Sequence, residues 1–477
     1  MKLAATMPES SNHRLSFRAP WVIFWTGFVL RLACILIGHT YRIRAFDDHF
    51  DYGFEAGRIA RSVVQGHGYG NPFNGFSGPT AWLPPLYPLL MALGFKLFGL
   101  YTNGAAIFIM VCDSVFSAAI APAVYEIAAR CFDAQGIARR ASAKAAPVAL
   151  WSAWLWAVYP AALQYAVHWL WEMSLTTCLF TWAFVLALRL RRIGEPAETS
   201  GPDIQPDKPW NQNIGRWALF GLLWGLIALS NASLLLCLPA SILWILWPLR
   251  GRKQQTGNSK QLPGHSYRTL RQSVAGAILA CVVFAATLTP WVVRNERALQ
   301  AFVPTRSNFG VELWQSSLFY HDVFPWGQAV PLWTGDPEFK LYVQMGEVNY
   351  AKMRGAEAMA NLRARPDLFV RFTLKRIQFF WFGVPHATEK HESNEVGRIF
   401  NYSFLSVAGL LGLGLALKRR VPGAWLMASA FILVPLVYYA VTVQARFRHP
   451  IEPLIAILSV YLFRSTTSRK VRRLESD

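Results

Sequence analysis

The sequence predicts an all-α, multi-pass membrane protein. Three observations carry that expectation. Hydrophobic residues fill 53% of the 477 positions and charged residues 16%, against about 25% charged in a soluble domain. The charges come in blocks, separated by apolar runs of the roughly 20 residues that a bilayer crossing needs. When those runs are counted as spans, the basic blocks fall on one side of the membrane.

The runs place helices at 20–39, 104–129, 146–167, 170–189, 215–231, 232–248, 272–292, 399–417, 423–442 and 449–464, about ten spans of bilayer length. Arg130/Arg139/Arg140/Lys144, Arg189/Arg191/Arg192, Arg250/Arg252/Lys253, Lys418/Arg419/Arg420 and Arg469/Lys470/Arg472/Arg473 then share one side. By the positive-inside rule that side is the cytoplasm, with both termini on it. Topology thus accounts for 47 Lys and Arg against 27 Asp and Glu, and nucleic-acid binding is not expected. Lys2, Arg14 and Arg18 precede the first run, and no small-residue cleavage site follows it. It reads as an uncleaved anchor. Cys34, Cys112, Cys131, Cys178, Cys237 and Cys281 lie in or beside apolar runs without C-x-x-C spacing. They read as packing residues, not disulfides or metal ligands.

Three parts follow: a membrane module over 1–292 carrying the outer loop 40–103, an outer segment over 293–398, and C-terminal helices with a basic tail over 399–477. The polar stretches 194–213 and 252–266 read as solvated cytoplasmic linkers without chemistry. Function is expected on the outer face, where most non-membrane mass lies.

The first outer loop reads R-A-F-D-D-H-F-D-Y-G-F-E-A-G-R-I-A-R. Asp51 and Glu55 are four apart, so a helix sets them on one face with Arg58, and Arg61 completes a basic set. A carboxylate at a membrane surface suits general-base work. An arginine fork suits phosphate oxygens. The plain alternative is a solvated amphipathic helix with i,i+3 ion pairs. Asp47, Asp48, His49 and Asp51 are of the types that bind a divalent cation. Their dense loop spacing is no ligand signature, however, and no obligatory metal is expected.

Gly78–Gly99, beginning G-P-T-A-W-L-P-P-L-Y-P, is expected to form a short interfacial helix started by its prolines and anchored by Trp82 and Tyr87. Its role, plain anchor or substrate lining, is open. In H-W-L-W-E, His168 and Glu172 stand four apart at the outer junction of two spans. An acid there is costly unless it is used or paired, and both readings stand. Arg31 and Asp113 lie at similar depth in two spans and are expected to pair.

Some basic residues oppose the positive-inside trend. They are Arg294 and Arg297 in T-P-W-V-V-R-N-E-R, Arg371, Lys375 and Arg376 in P-D-L-F-V-R-F-T-L-K-R, and Arg446, Arg448 and His449, beside Glu452, in A-R-F-R-H-P-I-E-P. Their convergence on the outer face points to an anionic lipid head group. For each cluster alone, unspecific attraction to membrane phospholipid is the alternative. Neither G-x-x-x-x-G-K-[ST] nor H-E-x-x-H occurs, so no ATP-driven pump or zinc hydrolase is indicated.

In order along the chain, the acidic loop with Ile59–Arg61, G-P-T-A-W-L-P-P-L-Y-P, Trp171–Glu172, P-W-V-V-R-N and R-F-R-H-P-I-E-P resemble a family. It is the GT-C glycosyltransferases, membrane enzymes that use sugars carried on polyprenyl phosphate. Within it, the chain is similar to family-39 relatives of protein O-mannosyltransferases and to the aminoarabinose transferase of lipid A. The resemblance implies a GT-C fold with amphipathic helices in the first outer loop. It implies inverting transfer of a hexose or pentose from a polyprenyl-phosphate donor to an acceptor on the periplasmic face of a bacterial inner (plasma) membrane. It implies an acid of the first outer loop as base, with Glu55 first and Asp51 second, and Glu172 as the second-loop acid. Tyr52, not an acid, falls at the family's usual position in an ungapped count. Leu83 stands where some lipid A transferases carry a lysine. Phosphate binding is then expected from Arg58, Arg61, Arg294, Arg376, Arg446 and Arg448, with His168 and His449 as further substrate contacts. The acceptor is open among lipid, glycan and protein. The rival reading is a transporter or flippase of lipid-linked sugars. It explains less well why polar groups gather at one face and not at the midplane.

Overall fold

The computed structural model describes residues 20–46, 48–133, 148–194, 210–247, 264–318, 333–383 and 392–474. The expected clusters at Arg139–Lys144 and Arg250–Lys253, most of both linkers, and Asp47 lie outside them. The described chain is helical. Among the described residues, five helical segments are long and apolar enough to cross a membrane: Pro20–Ile37, Asn103–Asp133, Met173–Leu190, Leu270–Leu299 and Ile399–Lys418. By helix composition this is a multi-pass membrane protein.

Helix α1 (Pro20–Ile37) buries Ile23, Gly27, Arg31 and Ile35, one stripe at helical spacing, and exposes Trp21, Trp25 and Val29. That pattern suits a helix packed on one side and facing lipid on the other. In the first outer loop lie α2 (Glu55–Val64) and α3 (Leu86–Phe98). Pro84, Pro85 and Pro88 stand at the start of α3, where a missing N–H costs nothing. Trp82 and Tyr87 do not anchor at an interface. Both are buried, Trp82 against Phe73 and Tyr342, and Tyr87 donating to Asp113 at 2.8 Å.

Helix α4 (Asn103–Ala128) is capped by Thr102, which accepts from the Ala105 N–H at 3.1 Å. The expected single span 146–167 is two helices, α5 (Val148–Ala157) and α6 (Pro160–Val167). Pro160 lacks the N–H to continue α5, and Tyr159 before it is pushed to extended backbone. Helix α7 (Met173–Leu190) follows, then α8 (Trp210–Ala228). The expected span 232–248 is a 3-10 turn, Ala232–Leu236, and a short α9 (Cys237–Leu246) of 10 residues. At 1.5 Å per residue, α9 is about 15 Å long and cannot cross the ~30 Å core alone. Helix α10 (Gly264–Leu299) instead overshoots the expected 272–292, with 36 residues.

The outer segment holds α11 (Phe309–Ser317), α12 (Pro337–Met345), α13 (Glu347–Ala364) and α14 (Pro366–Phe382). The chain closes with α15 (Glu392–Lys418), α16 (Ala424–Ala440), a 3-10 segment Ala445–Ile451, and α17 (Glu452–Leu474).

Two contacts set the outer layer. Glu347, at the start of α13, is buried and accepts from the Ala81 N–H (2.7 Å), Ser307 (2.6 Å), Tyr342 (2.6 Å) and Thr80. This one carboxylate ties the outer segment to the G-P-T-A-W stretch. Arg294, near the end of α10, donates to the carbonyls of Thr80 (2.6 Å) and Tyr69 and stacks on Tyr69 and Trp291.

The expected Arg31–Asp113 pair is not formed. Arg31 instead donates to Ser117 Oγ (3.0 Å) and to the carbonyls of Gly27 (2.9 Å) and Ala157 (3.0 Å). The carbonyl freed where α5 ends beside Pro160 gives the guanidinium an acceptor. Asp113 takes its hydrogen bond from Tyr87.

Candidate functional site

The first outer loop turns sharply before α2. Asp48, His49 and Phe54 have φ of +50°, +59° and +51°, a region that non-glycine residues seldom occupy and that clusters at functional sites. Side chains hold the turn. Asp48 accepts two hydrogen bonds from Arg61 (2.6 and 3.0 Å) and faces Arg58 Nε at 3.3 Å. His49 stacks on Tyr101 with ring centres 3.8 Å apart. Burial alone would raise the Asp48 carboxyl. The Arg61 hydrogen bond, with the charges of Arg61, Arg58 and His49, brings it below the ordinary value. Asp51, by contrast, is exposed.

Gly53 has φ +70°, and a Cβ there would run into the Leu170 carbonyl. Only glycine permits this approach. It brings the first outer loop against the second at Leu170–Glu172, and Glu55 follows as the first residue of α2.

Arg446 arrives from the 3-10 segment. Its guanidinium carbon lies 3.6 Å from the Trp171 ring centre. Among the described residues it makes no hydrogen bond or ion pair. Burial lowers its guanidinium below the ordinary value, and the charges of Glu172, Glu55 and Glu312 act against that. Burial likewise lifts the Glu55 carboxyl to about 7; Arg446 and Arg58 pull it down and Glu312 pushes it up. Glu172 and Arg446 line a small cavity with Met173, Thr176, Asn231, Phe447 and Pro450. Glu312, in the first turn of α11, accepts from Asn308 (3.2 Å) and Thr442 (3.4 Å) and lies 3.8 Å from Arg306. The site therefore combines a carboxyl poised near neutrality, an arginine with open donors, and two flanking glutamates. That set can take up a proton and bind an anion side by side.

The structure gathers Glu55, Glu172 and Arg446. Arg58, whose charge also acts on Glu55, borders this group, and the other expected residues are seated elsewhere. Arg58 and Arg61 face Asp48. Arg294 clasps loop carbonyls. Arg376 is buried and donates to the carbonyls of Ser316 (2.7 Å), Ala440 (3.3 Å) and Tyr439 (3.4 Å), where α11 and α16 end. Arg448 and His449 are buried on Glu452, with Nε–Oε1 at 3.3 Å and Nδ1–Oε2 at 2.6 Å, and Arg448 stacks on Tyr402. His168 is exposed and makes no ion pair with Glu172. Sequence reasoning passed over Glu312 and Trp171 as site residues. Glu312 lies in an outer stretch without a motif, so nothing in the sequence marked it. Among the described residues, no group of three or more His, Cys, Asp or Glu is placed to hold a metal ion.

No family model matches this sequence, and no curated protein does. Solved structures do. The archaeal oligosaccharyltransferase AglB from Archaeoglobus fulgidus, in complex with an inhibitory peptide and a dolichol-phosphate, superposes at TM-score 0.51 and 14% identity over 96% of this chain and 51% of that one. The Archaeoglobus fulgidus oligosaccharyltransferase tethered to an acceptor peptide gives TM-score 0.52 at 12% identity over 94% and 50%. The chain has a GT-C fold. It spans about half the length of these oligosaccharyltransferases. ArnT from Cupriavidus metallidurans, bound to undecaprenyl phosphate, aligns over 92% of this chain and 77% of that one at 15% identity, with a TM-score of 0.35. At such identities the likeness is one of fold. Within this GT-C fold, the cluster of Glu55, Glu172, Glu312 and Arg446 is the candidate active site.

Proposed function

We propose that the protein is a membrane glycosyltransferase that moves a sugar from a polyprenyl-phosphate donor to an acceptor at the outer face of a bacterial inner membrane, with inversion. One observation carries the reading: the guanidinium of Arg446, stacked on Trp171 with open donors, faces the outer cluster that holds Glu55, whose carboxyl burial lifts to about 7. The GT-C fold supports it, because a matched structure with this fold holds a dolichol-phosphate.

The chemistry needs both groups. Glu55 takes the proton from the acceptor hydroxyl or amine as the acceptor atom bonds to the anomeric carbon. The bond from that carbon to the phosphate oxygen breaks, and its electron pair leaves with the phosphate. The leaving monoester gains one negative charge, and Arg446 stabilises it as it grows. Glu172 and Glu312 orient the acceptor and tune Glu55. Arginine supplies the charge that a leaving monophosphate requires, so the step uses no obligatory metal.

The test is turnover in detergent, where no sidedness exists. Purified protein is given a polyprenyl-phosphate sugar, and release of polyprenyl phosphate is followed. Turnover that Glu55→Gln and Arg446→Ala abolish supports the transferase. Turnover untouched by Glu55→Gln and Asp51→Asn in folded protein overturns the base assignment. Binding without turnover, for any acceptor class offered, favours a transporter of lipid-linked sugars.

A further inference from the structure

At the other end of the molecule a groove runs between α15 and α17. Leu411, Gly414 and Lys418 line one side, and Leu462 and Ser465 the other, with Arg419 at the mouth. The positions on α15 repeat every three or four residues, so they form one face of the helix. From Leu411 to Lys418 the groove follows about 10 Å of helix at 1.5 Å per residue. Its volume is about 470 Å³, within the roughly 300–1,000 Å³ range of small-molecule sites. The walls are almost wholly aliphatic until the last turn. Leu411 is 58% exposed there.

Three glycines on α15 separate packing from groove. A Cβ at Gly409 or Gly412 would strike Ile455 or Leu458 of α17, so these two let the helices approach. A Cβ at Gly414 would meet nothing within 4 Å. Gly414 is therefore not needed for the contact; it leaves the groove open. Charge stands at one end only. Lys418 is exposed, with no partner among the described residues, and Arg419 stacks over Tyr461 and donates to Tyr461 (3.2 Å) and Ser465 (2.9 Å). This is the end that the positive-inside pattern sets at the cytoplasmic surface. An aliphatic trough along a membrane helix, closed by two cations at the level of the head groups, matches a molecule with an acyl chain and an anionic head.

We propose that this groove binds one anionic glycerophospholipid of the cytoplasmic leaflet, with an acyl chain along Leu411, Gly414 and Leu462 and its phosphate at Lys418 and Arg419. The site is separate from the outer cluster and independent of the transferase reading.

The test is native mass spectrometry of the full chain in detergent. Phosphatidylglycerol and phosphatidylcholine with identical acyl chains are titrated in turn. One phosphatidylglycerol should persist at collision energies that strip phosphatidylcholine. Gly414→Leu starts from a Cβ position with open space around it and extends into the trough, so it should abolish that adduct while leaving the melting temperature in detergent unchanged. Lys418→Gln should weaken it about fivefold, the factor expected for one basic residue at a lipid surface. Arg446→Ala should leave it intact. Equal retention of the two lipids overturns the proposal, and so does an unchanged adduct in Gly414→Leu. Should Gly414→Leu fold poorly, Lys418→Gln decides alone, and undiminished phosphatidylglycerol binding in that variant is equally fatal.

Discussion

The guanidinium of Arg446 lies on the face of Trp171, 3.6 Å from its ring centre, and leaves its N–H groups unpaired among the described residues. An arginine held by stacking keeps its donors for something else. Here three glutamates surround it without forming a direct bond, so the charge is positioned but not consumed.

Arg446→Ala is therefore expected to lower kcat by about 10²–10³-fold, the usual cost of one preorganised donor to a developing anion. Arg446→Lys should recover only part, because a lysine neither stacks flat on Trp171 nor offers a fork. Trp171→Leu should fall between the two. Steady-state release of polyprenyl phosphate measures all three. A lysine variant as active as wild type would show that a point charge is enough.

Glu55 gives a pH signature. As a base it must be ionised, so kcat should climb as pH rises through about 7 and then level. Stability runs the opposite way. A carboxyl raised in the folded state favours folding at pH below its unfolded value, and that contribution is lost as pH rises through about 7. Glu55→Gln should remove the rising limb of activity, cut kcat by roughly 10²–10⁴-fold, and flatten the decline in melting temperature as pH rises from mildly acid to neutral. Asp51→Asn, at an exposed position, should do neither.

Asp48 titrates in the reverse sense. Its carboxyl is held below the ordinary value, so its contribution is present above the usual carboxylate range and disappears as pH falls through the folded value. Asp48→Asn removes the charge that faces both Arg58 and Arg61. It should cost roughly 2–3 kcal/mol, below the cost of breaking a fully buried pair because solvent reaches part of this one. It should also make the acid-induced drop in melting temperature smaller by Asp48's share.

Much of this was legible in the sequence, and the limits have physical causes. Apolar length located α1, α4, α7 and α15, because a run of that length and composition has few other uses. It failed at 146–167, where one proline, Pro160, outweighs the apolar residues around it, and at α10, which continues as helix past the apolar part. Glu55 and Glu172 were visible as acids at a boundary. Whether a basic residue is open or occupied was not, because that depends on carbonyls from distant elements. Arg376 and Arg446 look alike in sequence, yet one caps the ends of α11 and α16 while the other faces a cavity. The same blindness produced the expected Arg31–Asp113 pair, since depth in the bilayer does not say which neighbour a side chain meets.

That unformed pair makes a prediction. Arg31 and Asp113 each bind uncharged partners, Ser117 and two carbonyls in one case and Tyr87 in the other. Independent sites add. Arg31→Met and Asp113→Asn should each lower the melting temperature, and the double variant should show the sum. A double variant milder than the worse single one would mean that the two charges do compensate each other.

Glu347 holds the outer segment in place. Four donors from three stretches of chain converge on one buried carboxylate: Thr80 and the Ala81 N–H, Ser307, and Tyr342. Glu347→Ala would leave those donors buried and unpaired, at about 1–3 kcal/mol for each one that water fails to reach. The variant should therefore release α12 and α13 from the G-P-T-A-W stretch well before the membrane helices melt. Hydrogen exchange should rise selectively over residues 337–364, and protease should cut there first. Glu347→Gln keeps the shape: its oxygen can still accept from the Ala81 N–H and Ser307, and its amide N–H can donate to the Thr80 and Tyr342 hydroxyls, so it should lie much closer to wild type than alanine does. If exchange over 337–364 stays at the wild-type level in Glu347→Ala, the segment is held by the aromatic contacts of Phe73, Trp82 and Tyr342 and not by this carboxylate.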